Sequence, residues 1–248
     1  RGSTIFPGMG KTISVGGLEE HLADDMVQYE DVFTTAGDVM EHGLDILDDP
    51  SFEEKKAPWK LDCSSDGITV HYKDTATGRY FAGRCKMKIS AKDLSDEFWD
   101  HLERNHEFND NIRQARRVRK LSENTDYLHY TSNDVFIIKS REVVAARAMR
   151  EINGAYFLAC RSVDLPKEIA ESKASVRAYI HVSLSRTRPD PEDPAHSCIY
   201  DYVICTDLKG MMFRSASNQV LGRATLKDIE NIRQYANNVL RPKLYPGL

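Results

Sequence analysis

The stretch Cys198 to Leu244, CIYDYVICTDLKGMMFRSASNQVLGRATLKDIENIRQYANNVLRPKL, decides how this chain is read. Ile199, Tyr200, Tyr202, Val203, Ile204 and Cys205 are β-branched, aromatic or small and apolar, the composition of a strand. Asp207-Leu208-Lys209-Gly210 supplies a turn, and Ser215 or Ser217 is placed to cap a helix behind it. In that helix Leu221, Thr225, Ile229, Ile232, Ala236 and Val239 recur at helical spacing as one mostly apolar stripe. Lys227, Glu230, Asn231, Arg233 and Asn237 fill much of the other face, and Arg241-Pro242 predicts its end. At 1.5 Å per residue such a helix is roughly 40 Å long. That suits either a helix packed on a core or a lid across the mouth of a curved sheet, and periodicity does not choose between them.

Upstream the pattern is strand after strand. Lys60 to Cys63, Ile68 to Tyr72 and Tyr80 to Ile89 are separated by turns at Asp66-Gly67 and Thr77-Gly78. A helix over Ser90 to Arg104 follows, with Ser90 as cap and Asp93 at the capping-box position. Val118 to Leu121, Tyr127 to Thr131, Val143 to Arg150, Tyr156 to Val163 and Val176 to Arg188 complete the run before Ile199 to Asp207. Leu18 to Leu47 reads as one or two helices, weakened in the second half by Gly37 and Gly43. Residues 1–17 read as a disordered or tag-derived leader, and 18–248 as a single domain with its core over 59–244. Helices confined to the beginning, one middle insertion and the end predict an α+β fold on an antiparallel sheet of about eight or nine strands.

Several short motifs in this order resemble the START family, the StAR-related lipid-transfer domains. Arg141-Glu142-Val143-Val144 stands where the family usually has Arg-Asp-Phe-Val. Ala159-Cys160-Arg161-Ser162-Val163 and Ser175-Val176-Arg177-Ala178 resemble two of its strands. Trp99-Asp100, Glu123-Asn124-Thr125-Asp126 and the Asp207–Gly210 turn fall at matching places, and the similarity runs from about Trp59 to Leu244. The resemblance implies a helix-grip fold, in which the sheet wraps the last helix around a cavity for one lipid, with sterol favoured over phospholipid. It also implies that the loop containing Val135, Phe136, Ile137 and Ile138 gates that cavity and touches membranes.

Composition excludes other classes. A formal net charge of -4 leaves no nucleic-acid footprint. No apolar run approaches the ~20 residues of a membrane-spanning helix. The five cysteines (Cys63, Cys85, Cys160, Cys198 and Cys205) lack paired spacing and read as reduced structural thiols of a cytoplasmic protein. Gly8-Met9-Gly10-Lys11-Thr12 imitates a phosphate loop, but its first glycine would fall at Ile5, so the motif fails. There is no Gly-x-Ser-x-Gly elbow and no His-Glu-x-x-His, and His101 and His106 are five apart and diverge on a helix. The expectation is a monomer with no enzymatic activity, no metal and no cofactor. Arg113, Arg116, Arg117, Arg119 and Lys120 are taken as a solvated strand edge.

Candidate binding residues come from the strand faces. Val176, Ala178, Ile180, Val182 and Leu184 alternate with mostly polar neighbours, so one face is buried. Arg147 shares a face with Val143, Ala145 and Met149, which puts a charge among apolar groups and demands a partner. By resemblance, Ile180 and Leu158 line the cavity, and Arg147 matches an arginine that pairs with an acid inside it. The matching acidic position is Tyr130, a departure from the family, so Asp134 or Asp228 is the expected substitute. Tyr202, Ile204, Ala224, Thr225, Asp228 and Ile232 complete the expected lining. A lipid carrier that touches membranes transiently is the first expectation, and a ligand-sensing START module acting through a protein partner is the alternative. A third is an enzyme of the cyclase-like branch.

Overall fold

The structure, a computed structural model, describes residues 11–134, 139–164, 169, 174–210 and 214–247. Its first element corrects the sequence reading. Residues 12–21 are not leader or helix but a hairpin, β1 (Thr12–Val15) and β2 (Leu18–His21). Gly16 and Gly17 both hold positive φ (54° and 80°), as a two-residue hairpin turn of primed type requires. A short 3-10 helix (Asp24–Tyr29) then leads into α1 (Glu30–Asp48) and the short α2 (Pro50–Glu54). Gly43 does not break α1, because a Cβ there would meet Leu184 Cδ1 at 2.9 Å. Close packing on the sheet outweighs the intrinsic helix penalty of glycine.

The sheet holds β3 (Lys60–Ser65), β4 (Ile68–Asp74), β5 (Arg79–Met87), β6 (Ile112–Lys120), β7 (Thr125–Ser132), β8 (Arg141–Ile152), β9 (Ala155–Ser162), β10 (Val176–Arg177), β11 (Tyr179–Pro189) and β12 (Cys198–Asp207). Its order is β3-β4-β5-β12-β11-β9-β8-β7-β6, antiparallel throughout, with two-residue β10 added parallel to β8. Between β5 and β6 the chain crosses to the far edge through α3 (Ala91–Asp100) and α4 (Asn105–Phe108). Ser90 caps α3 as expected, its Oγ accepting from the Asp93 amide at 3.1 Å.

The two faces of the sheet carry different loads. On one, α1 packs across β7, β8, β9 and β11. Phe33, Val39 and Met40 meet Tyr127, Ala148, Ala159, Val182 and Val203 in the largest core cluster. On the other lies the long helix of the C-terminal stretch, α5 (Arg214–Tyr235), which contacts β3, β4 and β5. It already includes both serines expected as caps. It also does not stop at Arg241-Pro242: a wide π-type turn (Ala236–Leu240) leads directly into α6 (Arg241–Leu244), where Pro242 occupies the first turn. The wide turn rotates the helix face, so Leu240 is buried while Val239, expected in the apolar stripe, is 51% exposed. Asn231, expected outside, is buried.

Candidate binding site

Between α5 and the sheet face opposite α1 lies a pocket of ≈ 330 Å³. Cross-strand register fixes which side chains share this face of the sheet: Leu128 is opposite Ala145, Met149 opposite Leu158, Leu158 opposite Ser185, and Ser185 opposite Tyr202. Arg147, Leu158, Ala178, Ile180, Tyr202 and Ile204 line the pocket from the sheet side, and Ala224, Asp228 and Ile232 from α5. All nine are among the residues expected to line a cavity.

Five other expected residues are not in the lining. Val143 and Ala145 are fully buried in the cluster with Leu128, Ala178 and Ile180, but do not reach the pocket. Met149 shares the sheet face by register with Leu158 but does not line the pocket. Thr225 is buried, its hydroxyl donating back to Leu221 O at 2.8 Å. Val182 faces the other way. A β-bulge at His181 sets Ile180 opposite Thr206 but Val182 opposite Cys205. One extra residue inverts the alternation. Val182 and Leu184 therefore join the α1 core, and Ser183 and Ser185 turn into the pocket.

Arg147 is 1% exposed, and its partner is neither Asp134 nor Asp228. It is Asp126, directly across the β7–β8 ladder. Arg147 Nε donates to Asp126 Oδ1 at 2.9 Å and Nη2 to Oδ2 at 2.6 Å. Nη1 and Nη2 also donate to Phe98 O (2.9 Å) and Trp99 O (3.1 Å) at the end of α3. The guanidinium lies 4.3 Å from the Trp99 ring centroid. Arg117, assigned to a solvated edge, reaches in as well, its Nε donating to Asp126 Oδ2 at 2.6 Å. Arg113, Arg116, Arg119 and Lys120 stay exposed along the β6 edge. Asp134 instead accepts from the Ser140 amide at 2.6 Å.

Asp228 is provided for differently. Its Oδ1 accepts from Asn109 Nδ2 at 2.9 Å and Asn111 Nδ2 at 3.4 Å, two neutral amides that the sequence reading did not single out. Burial pushes its carboxyl up to about 6, with the amide bonds opposing. The neighbouring phenols of Tyr130, Tyr200 and Tyr202 are raised by burial too, and the Cys160 thiol is pushed up to about 11. The phenols and the thiol are held in their protonated forms, the opposite of an activated nucleophile. Among the described residues no cluster of three His, Cys, Asp or Glu side chains is placed to hold a metal.

At the rim, Arg141 joins separate segments. Its Nε donates to Leu208 O at 2.7 Å, Nη2 to Lys209 O at 3.2 Å, and Nη1 to Lys139 O. It thus ties the turn before α5 to the end of the 133–140 loop. The expected gate residues Val135, Phe136, Ile137 and Ile138 lie outside the described residues.

The profile of the START domain matches residues 51–239. The chain belongs to the START-domain family. It is 30% identical over 238 residues to steroidogenic acute regulatory-like protein 1 of Caenorhabditis elegans, covering 96% of this chain and 92% of that protein. It is 26% identical over 158 residues to the mitochondrial steroidogenic acute regulatory protein of Danio rerio, matching 63% of this chain and 55% of that one. Human StAR-related lipid transfer protein 5 superimposes with a TM-score of 0.72 at 13% identity, over 84% of this chain and 97% of its own. The helix-grip architecture expected from the sequence is the architecture of this START domain, and lipid binding is what the family implies for it.

Proposed function

We propose that this START domain is a lipid carrier that holds one hydrophobic lipid of sterol size in the pocket under α5 and exchanges it at membrane surfaces. The observation that carries this reading is the character of the ≈ 330 Å³ pocket: an apolar wall of Leu128, Leu158, Ile180, Ile204, Leu221 and Ile232 interrupted by a few polar side chains, Arg147 and Asp228 among them. That volume falls in the usual range for small-molecule pockets, about 300–1,000 Å³. Transfer from bilayer to pocket replaces one apolar environment by another, so the barrier lies in parting α5 from the sheet rather than in any chemical step. The protonated phenols and thiol suit a binding role without catalysis. Sterol is preferred because relatives at 30% and 26% identity carry steroidogenic acute regulatory names.

The test is transfer between donor and acceptor liposomes, paired with native mass spectrometry of protein purified from a lipid-containing extract. A carrier accelerates exchange of the lipid that co-purifies. A protein that binds lipid without accelerating exchange is a sensor, and one that emerges with no lipid and takes none up ends the proposal.

A further inference from the structure

Among the polar groups lining the pocket, Arg147 and Ser183 donate to protein partners, whereas Asp228 has one carboxylate oxygen with no described partner. Arg147 spends its guanidinium on Asp126 and two carbonyls of α3. Ser183 Oγ donates to Tyr202 Oη at 3.3 Å. Asp228 stands on a stretch of α5 whose other lining residues, Val220, Leu221, Ala224 and Ile232, are apolar. Both of its side-chain hydrogen bonds end on Oδ1. Among the described residues no Lys, Arg or His lies within ion-pair distance of it. Asn109 and Asn111 therefore orient the carboxylate without neutralising it, and Oδ2 is left for something else.

A carboxylate in an apolar wall is costly unless a donor meets it. We propose that Asp228 accepts a hydrogen bond from the polar end of the ligand, so that the pocket takes a lipid ending in an uncharged hydroxyl and rejects lipids ending in phosphate, sulfate or carboxylate. This rests on the lipid-carrier reading and narrows it. A hydroxyl brings one donor to the one open carboxylate oxygen, a charge-assisted bond in a poorly hydrated site. An ammonium brings three donors and would leave some unmet. An anionic head would place like charges at contact distance where water screens little. The hydroxyls of Tyr130, Tyr200 and Tyr202, which share the lining with Asp228, can accept or donate around a ligand oxygen without adding charge.

The experiment measures binding of cholesterol, its 3-methyl ether, cholesteryl sulfate, a sterol 3-amine and phosphatidic acid to the wild-type protein, Asp228→Leu and Asp228→Asn. Circular dichroism and melting confirm that each variant is folded. The wild type should prefer the alcohol over the ether and the sulfate by tenfold or more, the discrimination expected when a charge-assisted hydrogen bond is lost. Asp228→Leu should bring alcohol and ether within about twofold of each other while still binding both. Asp228→Asn, which keeps a carbonyl acceptor, should fall between. Equal wild-type binding of alcohol and ether overturns the inference, as does tight sulfate binding, preference for the amine, or a Leu variant that keeps the preference. Tight phosphatidic acid binding alone would leave the carrier reading standing and remove this one. Failure of the wild type to bind any lipid would remove both.

Discussion

Arg147 and Asp228 reach the same pocket from opposite walls, and the protein treats them in opposite ways. The arginine is surrounded: a carboxylate across the ladder, two helix carbonyls and an indole face meet its charge. The aspartate has two neutral amides and no cation among the described residues. Of two charges that look equally anomalous in an apolar setting, the satisfied one belongs to the scaffold. The unsatisfied one is the place to look for a ligand.

The largest effect should come from disturbing the first. Arg147→Met leaves Asp126 buried with only Arg117 beside it, and removing one member of a buried pair costs about 3–5 kcal/mol. Denaturant unfolding at neutral pH should show that loss, and adding Asp126→Leu should recover a large part of it. A cost below about 1 kcal/mol would break the contrast, because Arg147 would then be no more fixed than Asp228.

A middle-sized effect should come from the seam between the walls. A Cβ on Gly83 would sit 2.1 Å from Ile229 Cδ1 on α5. Gly83→Ala must shift either the isoleucine or the helix, at about 1–3 kcal/mol. If the helix moves, Asp228 gains water, its pKa falls back toward 3.8, and ligand exchange in the liposome assay speeds up. Unchanged exchange with unchanged stability would show that Ile229 alone absorbs the clash.

The smallest effect has the opposite sign. The pKa of Asp228 is raised from 3.8 to about 6, so the folded protein binds its proton at a higher pH than the unfolded chain does. The resulting stabilisation is complete below pH 3.8 and is lost as pH rises through about 6. Asp228→Asn should therefore be more stable than the wild type at pH 7, by about 1–2 kcal/mol after allowing for water in the pocket. That advantage should fade between pH 6 and pH 4. A stability gain coupled to weaker lipid binding is the signature of a residue kept for function. A loss at pH 7 would mean that the carboxylate is stabilised by something other than its two amides.

Much of this was legible in the chain because the sheet obeys period two and α5 period 3.6 over long runs. Turn residues at Asp66-Gly67 and a cap at Ser90 marked the boundaries. What was not legible depends on single-residue offsets. The bulge at His181 leaves no trace in the alternation of Val176 to Leu184, since apolar residues before and after it simply go to different cores. The wide turn after Tyr235 exchanges Val239 for Leu240 in the same way. Gly16-Gly17 did carry a hairpin signal, overshadowed by the helical spacing that follows it. The partner of Arg147 required the β7–β8 register, which the intervening loop conceals. Asn109 and Asn111 sit in a short polar connection whose role exists only once α5 folds over it.

Arg141 holds Leu208 and Lys209 with one edge of its guanidinium and Lys139 with another. The root of the roof and the end of the neighbouring loop are thus latched to a single planar group on the rigid sheet. A shift of either segment therefore changes the hydrogen bonding available to the other, because both draw on the same planar donor.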